Sequence, residues 1–258
     1  MDKDKNTKGF IEPFTWTAFA AAIAVGVITE LASDYIKRNF LNNTVNYEMM
    51  FKQAIEEICT YIDQKVDEAF LREYLSGCNY VRQQLNFYAR NNDHSIIPTL
   101  QKDAAQLVQN FKGFDVQGFG GLVVACNLHL LILKALSELP EKESWKITFE
   151  DTCKEYADWI EKGLEQYIIL FKNEYKIKNF RRVLIGPQGD LSSLVTLFHK
   201  DKRLKTCMYG GQQECFAEMD AITNEITENA PNEHIPYIKC KEMIKNYREF
   251  TTPSTNNS

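Results

Sequence analysis

The chain has 258 residues, of which 44% are hydrophobic and 25% charged, and its formal net charge at pH 7 is −5. This composition is that of an ordinary globular protein, and the length is sufficient to bury a helix on all sides. The acidic balance provides no global basic field, so we expect no nucleic-acid partner. Twelve glycines and seven prolines are few for this length, which favours long helices over a turn-rich β fold.

The seven cysteines are scattered and odd in number, and no pair has metal-ligand or redox spacing. We interpret them mainly as buried thiols of a protein made in a reducing compartment. The sequence has no phosphate loop, zinc set or calcium loop. We therefore expect a non-enzymatic protein without a metal or cofactor.

Residues 14–28 form an apolar run behind three lysines, which superficially resembles a signal peptide. Glu12 and Pro13 interrupt the approach to this run, and residues 29–32 continue a helical pattern instead of offering a cleavage site. The run is also short for a bilayer span. We expect the first helix of a bundle, in a soluble protein that is cytoplasmic or released.

Two amphipathic stretches follow. From residue 46 to residue 88 apolar side chains recur at three- and four-residue steps, with a break expected near residues 65–69. Residues 96–111 predict a helix whose apolar face carries Ile97, Leu100, Leu107 and Phe111. Its opposite face is polar.

Residues 118–139 form the most informative segment. Between positions 119 and 136 the only strongly polar residues are Asn127, His129 and Lys134. A helix that is apolar around its whole circumference must be surrounded by other helices or by lipid. Twenty-two helical residues rise about 33 Å, close to the thickness of a bilayer hydrocarbon core.

The remaining segments are also interpreted as helices. Residues 145–171 are amphipathic, and Asp190 is a candidate cap for a helix with an inward stripe ending at Phe198. Two short helical patterns occupy residues 212–228 and 237–250, before an end expected to be disordered. The prediction is an all-α fold, a roughly seven-helix bundle with an apolar central helix encircled by amphipathic helices. The bundle spans 1–209, and 210–258 form a helical appendage.

Three stretches carry a family resemblance: residues 125–136, residues 155–166, and residues 179–182 with 190–204. In this order they resemble the N-terminal pore-forming helical domain of the three-domain Cry-type insecticidal delta-endotoxins. Residues 127–130, Asn-Leu-His-Leu, match the core of that family's central helix, and Lys134 stands where those toxins usually have arginine. The family's receptor-binding β domains would begin near residue 209, where this chain has only its short tail.

The resemblance implies a pore-forming, toxin-like protein that inserts a helical hairpin into a target membrane and permeabilises it after oligomerisation. Its expected partners are a lipid membrane and further copies of itself, with a receptor or partner subunit as another candidate. The alternative is a soluble, non-lytic interaction or structural protein that retains the bundle. The candidate inserting residues of the central helix are Leu122, Val123, Val124, Asn127, Leu128, His129, Leu130, Leu131 and Leu133. The candidate lumen-lining residues are Asp103, Gln106 and Asn110.

Each candidate also has a plainer interpretation. The lumen candidates form a solvated helix face, and Asn127 and His129 are polar residues satisfied inside the bundle. His129 could instead act as an acid-triggered switch. Lys134 could snorkel or form a pair near the helix end. The basic residues from 172 to 205 fit either anionic lipid headgroups or a solvated face.

Overall fold

The computed structural model describes most of the chain. The described residues are 16–29, 31–40, 68–114, 116–140, 143–173, 175–185, 190–199, 202–209, 212–233 and 235–250. The amphipathic pattern before residue 68 and the end predicted to be disordered lie outside these ranges.

The described elements are eight α-helices, one sheet and two short 3₁₀ helices at His94–Ile96 and Ala230–Glu233. Six helices come first: α1 (Trp16–Thr29), α2 (Ala32–Phe40), α3 (Glu68–Asn91), α4 (Ile97–Lys112), α5 (Phe119–Ser137) and α6 (Glu143–Lys172). Three strands follow: β1 (Tyr175–Ile185), β2 (Asp190–His199) and β3 (Lys202–Tyr209). The last helices are α7 (Gln212–Asn229) and α8 (Ile235–Phe250).

Helix α5 lies at the centre of a helical bundle. Helices α1, α2, α4 and α6 pack against it, and α8 packs against α1 and α6. The amphipathic helices turn their apolar stripes towards α5 because its sequence offers no polar face to water. The predicted helical bundle around an apolar central helix is confirmed.

Helix α1 takes part in this core. Ala20, Ile23, Ala24 and Val27 are each completely buried, and α1 contacts both α5 and α8. The apolar run near the start of the chain is therefore a bundle helix, as predicted. The prediction of buried free thiols is confirmed for four cysteines, namely Cys78, Cys126, Cys153 and Cys240.

Residues 175–209 correct the prediction that the chain is helical throughout. Within this range, β1, β2 and β3 form a three-stranded antiparallel sheet in the order β1-β2-β3. The helix expected from Asp190 to Phe198, which the resemblance also implied, is strand β2. A short apolar run fits the helical and the strand period equally well. Here Val195, Thr196 and Phe198, together with pairing to both neighbouring strands, favour the extended form.

The C-terminal part is not an appendage in the predicted sense. Helix α7 packs against all three strands, so the sheet and α7 form a unit inserted between α6 and α8. Helix α8 then rejoins the bundle, where its Cys240, Met243, Ile244 and Tyr247 belong to the main hydrophobic core. The bundle therefore takes its last helix from residues that we had assigned outside it.

Candidate membrane-inserting hairpin

Helix α5 is buried along its whole length. All nine predicted inserting residues are buried, and the most exposed of them, Leu122, has only 6% of its surface accessible. By length and composition this helix is able to cross a membrane, although 94% of its apolar window is buried inside the protein. The core helix of a soluble protein can be equally long and apolar, so length and composition alone do not distinguish it from a membrane-inserting helix.

Helices α4 and α5 form a hairpin, in which an aromatic ring of α4 packs tightly against the backbone of α5. The Phe111 ring at the end of α4 lies directly over Gly121, where a Cβ atom would come within 2.3 Å of the ring. Pro98 in the first turn and Gly113 at the C-terminal cap define the ends of α4. The glycine is needed because any side chain at position 121 would displace this ring.

Asn127 lies in the middle of α5 and has a complete set of partners. Its Nδ2 donates to the Val123 carbonyl at 2.7 Å and contacts the Met243 sulfur at 3.5 Å. Its Oδ1 accepts a hydrogen bond from the Tyr247 hydroxyl. Burial raises the pKa of Tyr247, so the tyrosine remains a neutral donor. The last helix of the chain thus satisfies a polar group of the central helix.

His129 is tied to both neighbouring helices. Its Nδ1 lies 2.5 Å from the Tyr156 hydroxyl on α6, and its Nε2 lies 3.1 Å from Gln101 Nε2 on α4. With the Gln101 amide nitrogen donating, the ring Nε2 accepts, so Nδ1–H donates to Tyr156. Burial lowers the pKa of His129 to about 4, because a charged imidazolium would lose its hydration there. The interpretation of Asn127 and His129 as satisfied interior residues is confirmed.

The two ends of the hairpin are also attached to the bundle. At the loop end, the Lys112 ammonium lies 3.4 Å from the centre of the Trp159 ring on α6. At the other end, the Glu138 carboxylate accepts from the Ala32 amide at 2.8 Å and 3.1 Å, and pairs with Lys134 at 3.8 Å. Burial raises the pKa of Glu138, while the Ala32 amide and Lys134 act in the opposite direction. Lys134 therefore forms a pair at the helix end, one of its two predicted roles.

The three candidate lumen residues lie together, away from α5. Asp103, Gln106 and Asn110 line a groove of about 350 Å³ between α3 and α4, next to the exposed Tyr80. Gln106 Nε2 donates to Asn110 Oδ1 at 2.9 Å. The two amide groups and the carboxylate thus form one polar strip on the outer side of the hairpin.

Sequence reasoning did not predict the partners of the polar residues in α5. Gln101, Tyr156 and Tyr247 are separated from those residues by 28, 27 and 120 positions, respectively. The available signal was indirect: a polar group buried in an apolar helix requires a partner, and tyrosines within apolar stripes carry a hydroxyl that can provide one.

No family model matches the chain, and no curated protein shows significant similarity to it. The function therefore has to be argued from the hairpin and its surroundings.

Proposed function

We propose that this protein permeabilises membranes by inserting the α4–α5 hairpin into lipid, as its resemblance to the pore-forming helical domain of Cry-type delta-endotoxins implies. The observation that supports this is the central helix, whose sequence is apolar on every side although water-facing helices surround it. Such a helix can exchange protein neighbours for acyl chains because both provide apolar contact, and its backbone is satisfied in either environment.

The dimensions of the hairpin suit a bilayer approximately. The nineteen residues of α5 rise about 28 Å, close to the hydrocarbon thickness of about 30 Å. The sixteen residues of α4 rise only about 24 Å. Insertion therefore requires α4 to extend into the loop at residues 113–118, or the bilayer to thin locally.

Opening the bundle breaks some contacts and keeps others. The contacts that cross the hairpin boundary include Asn127–Tyr247, His129–Tyr156, Lys112–Trp159 and Glu138–Ala32. The Gln101–His129 contact and the contact between the Phe111 ring and Gly121 lie within the hairpin, so both can persist when the hairpin leaves the bundle. The hairpin can leave as one unit, and the boundary ties together with the apolar packing of α5 against α1, α2 and α6 keep it in place in water.

The polar strip gives the inserted hairpin a side suited to water. Ile97, Leu100, Leu107 and Phe111 form the buried face of α4, whereas Asp103, Gln106 and Asn110 lie outside that face. In an assembly of several copies the strip would line a lumen while the apolar residues contact lipid or partner helices. This division of faces is what a pore built from amphipathic helices requires.

Dye release from liposomes tests permeabilisation, and ion selectivity tests the hairpin. We expect leakage after addition of the protein, and in planar bilayers we expect Asp103→Lys to shift the selectivity of the conductance towards anions. Glu165→Lys, an exposed residue on α6, makes the same charge change as a matched control and should leave the selectivity unchanged. An absence of leakage over a range of pH, lipid composition and proteolytic treatment would favour the soluble, non-lytic alternative.

A further inference from the structure

Helix α8 joins the bundle from the far side of the inserted sheet. Helices α1 to α6 all precede the sheet in the chain, whereas α8 follows both the sheet and α7. The connections among α1 to α6 therefore do not run through α8. This helix can separate from the bundle without disturbing the connections that hold the α4–α5 hairpin.

The position of α8 bridges two of the helices that enclose α5. Helix α8 packs on α1 and on α6, and both of these helices also pack on α5. Protein cores are close-packed, so α1 and α6 cannot move apart while the apolar side of α8 is inserted between them. As long as α8 is docked, α5 has no exit between these two helices.

The inner side of α8 reaches the middle of α5. Its residues Cys240, Met243, Ile244 and Tyr247 are buried, and the Tyr247 hydroxyl and the Met243 sulfur both contact Asn127. Separation of α8 removes the hydroxyl donor from a completely buried amide, which costs free energy until water reaches that amide. The docked helix therefore stabilises α5 in its central position.

The outer side of α8 is held by contacts that water reaches. Arg248 Nη2 donates to Asp158 Oδ1 at 2.8 Å and to Glu161 Oε2 at 2.6 Å, both on α6. The exposed fractions of these three side chains are 45%, 70% and 34%, respectively. Exposed ion pairs contribute little to stability and are weakened by salt. The outer edge of α8 therefore opens more easily than the surroundings of α5.

We infer that α8 is a strap that separates from α1 and α6 before the hairpin leaves the bundle, and that it thereby controls hairpin release. The inference rests on the proposed membrane insertion and names the step that regulates it. A helix that only completed the core would separate when the whole bundle unfolds. The strap, in contrast, opens while α1, α2, α4 and α6 still surround α5.

Two native cysteines report the order of opening. Cys240 on α8 and Cys126 on α5 are each completely buried, so a maleimide reaches either thiol only when its surroundings open. Mass spectrometry follows the labelling of each thiol, and each rate is divided by the rate in the urea-unfolded protein. Cys240 should react at least about tenfold faster than Cys126, because local opening requires less free energy than global unfolding. With vesicles present, Cys240 labelling should precede dye release.

Two variants weaken the strap at its outer and inner sides. Arg248→Gln removes the charge from both ion pairs and should speed Cys240 labelling about two- to tenfold. Tyr247→Phe removes the donor to Asn127 and should speed it about five- to hundredfold. Both variants should also speed dye release. Arg72→Gln is the matched control, since Arg72 is exposed on α3, which packs on α2 and α4, and it should behave like the wild type.

The outcomes separate the strap from pore formation. Faster labelling of Cys240 than of Cys126 without any dye release would support the opening of α8 and contradict membrane insertion. Equal labelling rates would show that both helices open only in global unfolding, which overturns the strap and leaves the pore intact. Dye release while Cys240 stays protected would also overturn the strap. Equal effects of Arg248→Gln and Arg72→Gln would show that the ion pairs of α8 do not hold it, and would contradict the inference.

Discussion

Acidification should weaken the bundle through His129, whose buried ring is neutral and bonded at both nitrogens. The pKa of this group falls from 6.5 to about 4 in the folded protein. A folded-state pKa below the unfolded one means that the unfolded chain binds the proton more tightly. The stabilisation is therefore fully present above pH 6.5 and is lost as the pH falls towards 4.

The size of the effect follows from the two pKa values. The complete difference corresponds to about 3.4 kcal/mol at 1.36 kcal/mol per pH unit, and about 2 kcal/mol of it is lost between pH 7 and pH 5. Only 5% of the His129 surface is exposed, so solvent screening reduces this value little. Glu138 acts in the opposite direction, because its raised pKa favours the protonated form in the folded state.

Urea unfolding of the wild type and of His129→Gln at pH 7 and pH 5 isolates the histidine. The free energy of unfolding of the wild type should fall by about 2 kcal/mol more than that of the variant over this interval. His94→Gln, which removes an exposed histidine, is the control and should follow the wild type. Equal losses in the wild type and in His129→Gln would refute the argument that burial of this ring makes the bundle acid-sensitive.

Three further variants probe the central helix by urea denaturation. Leu131→Glu buries an unpaired charge and should abolish cooperative folding at pH 7; an unchanged midpoint of urea unfolding would place α5 on the surface instead. Tyr247→Phe leaves the Asn127 Oδ1 without its donor and should cost about 1–3 kcal/mol, so a loss of zero would show that this bond contributes nothing. Gly121→Val drives a side chain into the Phe111 ring and should cost about 1–3 kcal/mol, whereas a stable variant would mean that the ring moves freely.

The central helix and its burial could be predicted from the sequence because they depend on local composition alone. A nineteen-residue helix without a polar face is stable in water only when other helices surround it. The polar groups of α5 were likewise expected to be satisfied. Their partners could not be identified, since Tyr247 approaches Asn127 from a helix 120 residues away and no local pattern encodes that distance.

The sheet could not be predicted for a related reason. In β2, the spacing of Leu191, Leu194, Val195 and Phe198 satisfies a helical stripe as well as a strand. The choice is made by pairing, because β1 and β3 hydrogen-bond to both sides of this segment. The resemblance to the toxin domain reinforced the helical interpretation at the point where the structure departs from it.

Photolabelling with phospholipids that carry a photoreactive group deep in the acyl chain is the most direct test of hairpin insertion. After incubation with vesicles and illumination, mass spectrometry should find acyl-chain adducts concentrated within Phe119–Ser137 and on the apolar face of Ile97–Lys112. The bundle helices left behind, such as Ile235–Phe250, should remain largely unlabelled. Labelling that avoids Phe119–Ser137 while the protein is bound to vesicles would show that the central helix stays inside the bundle, and would contradict the account.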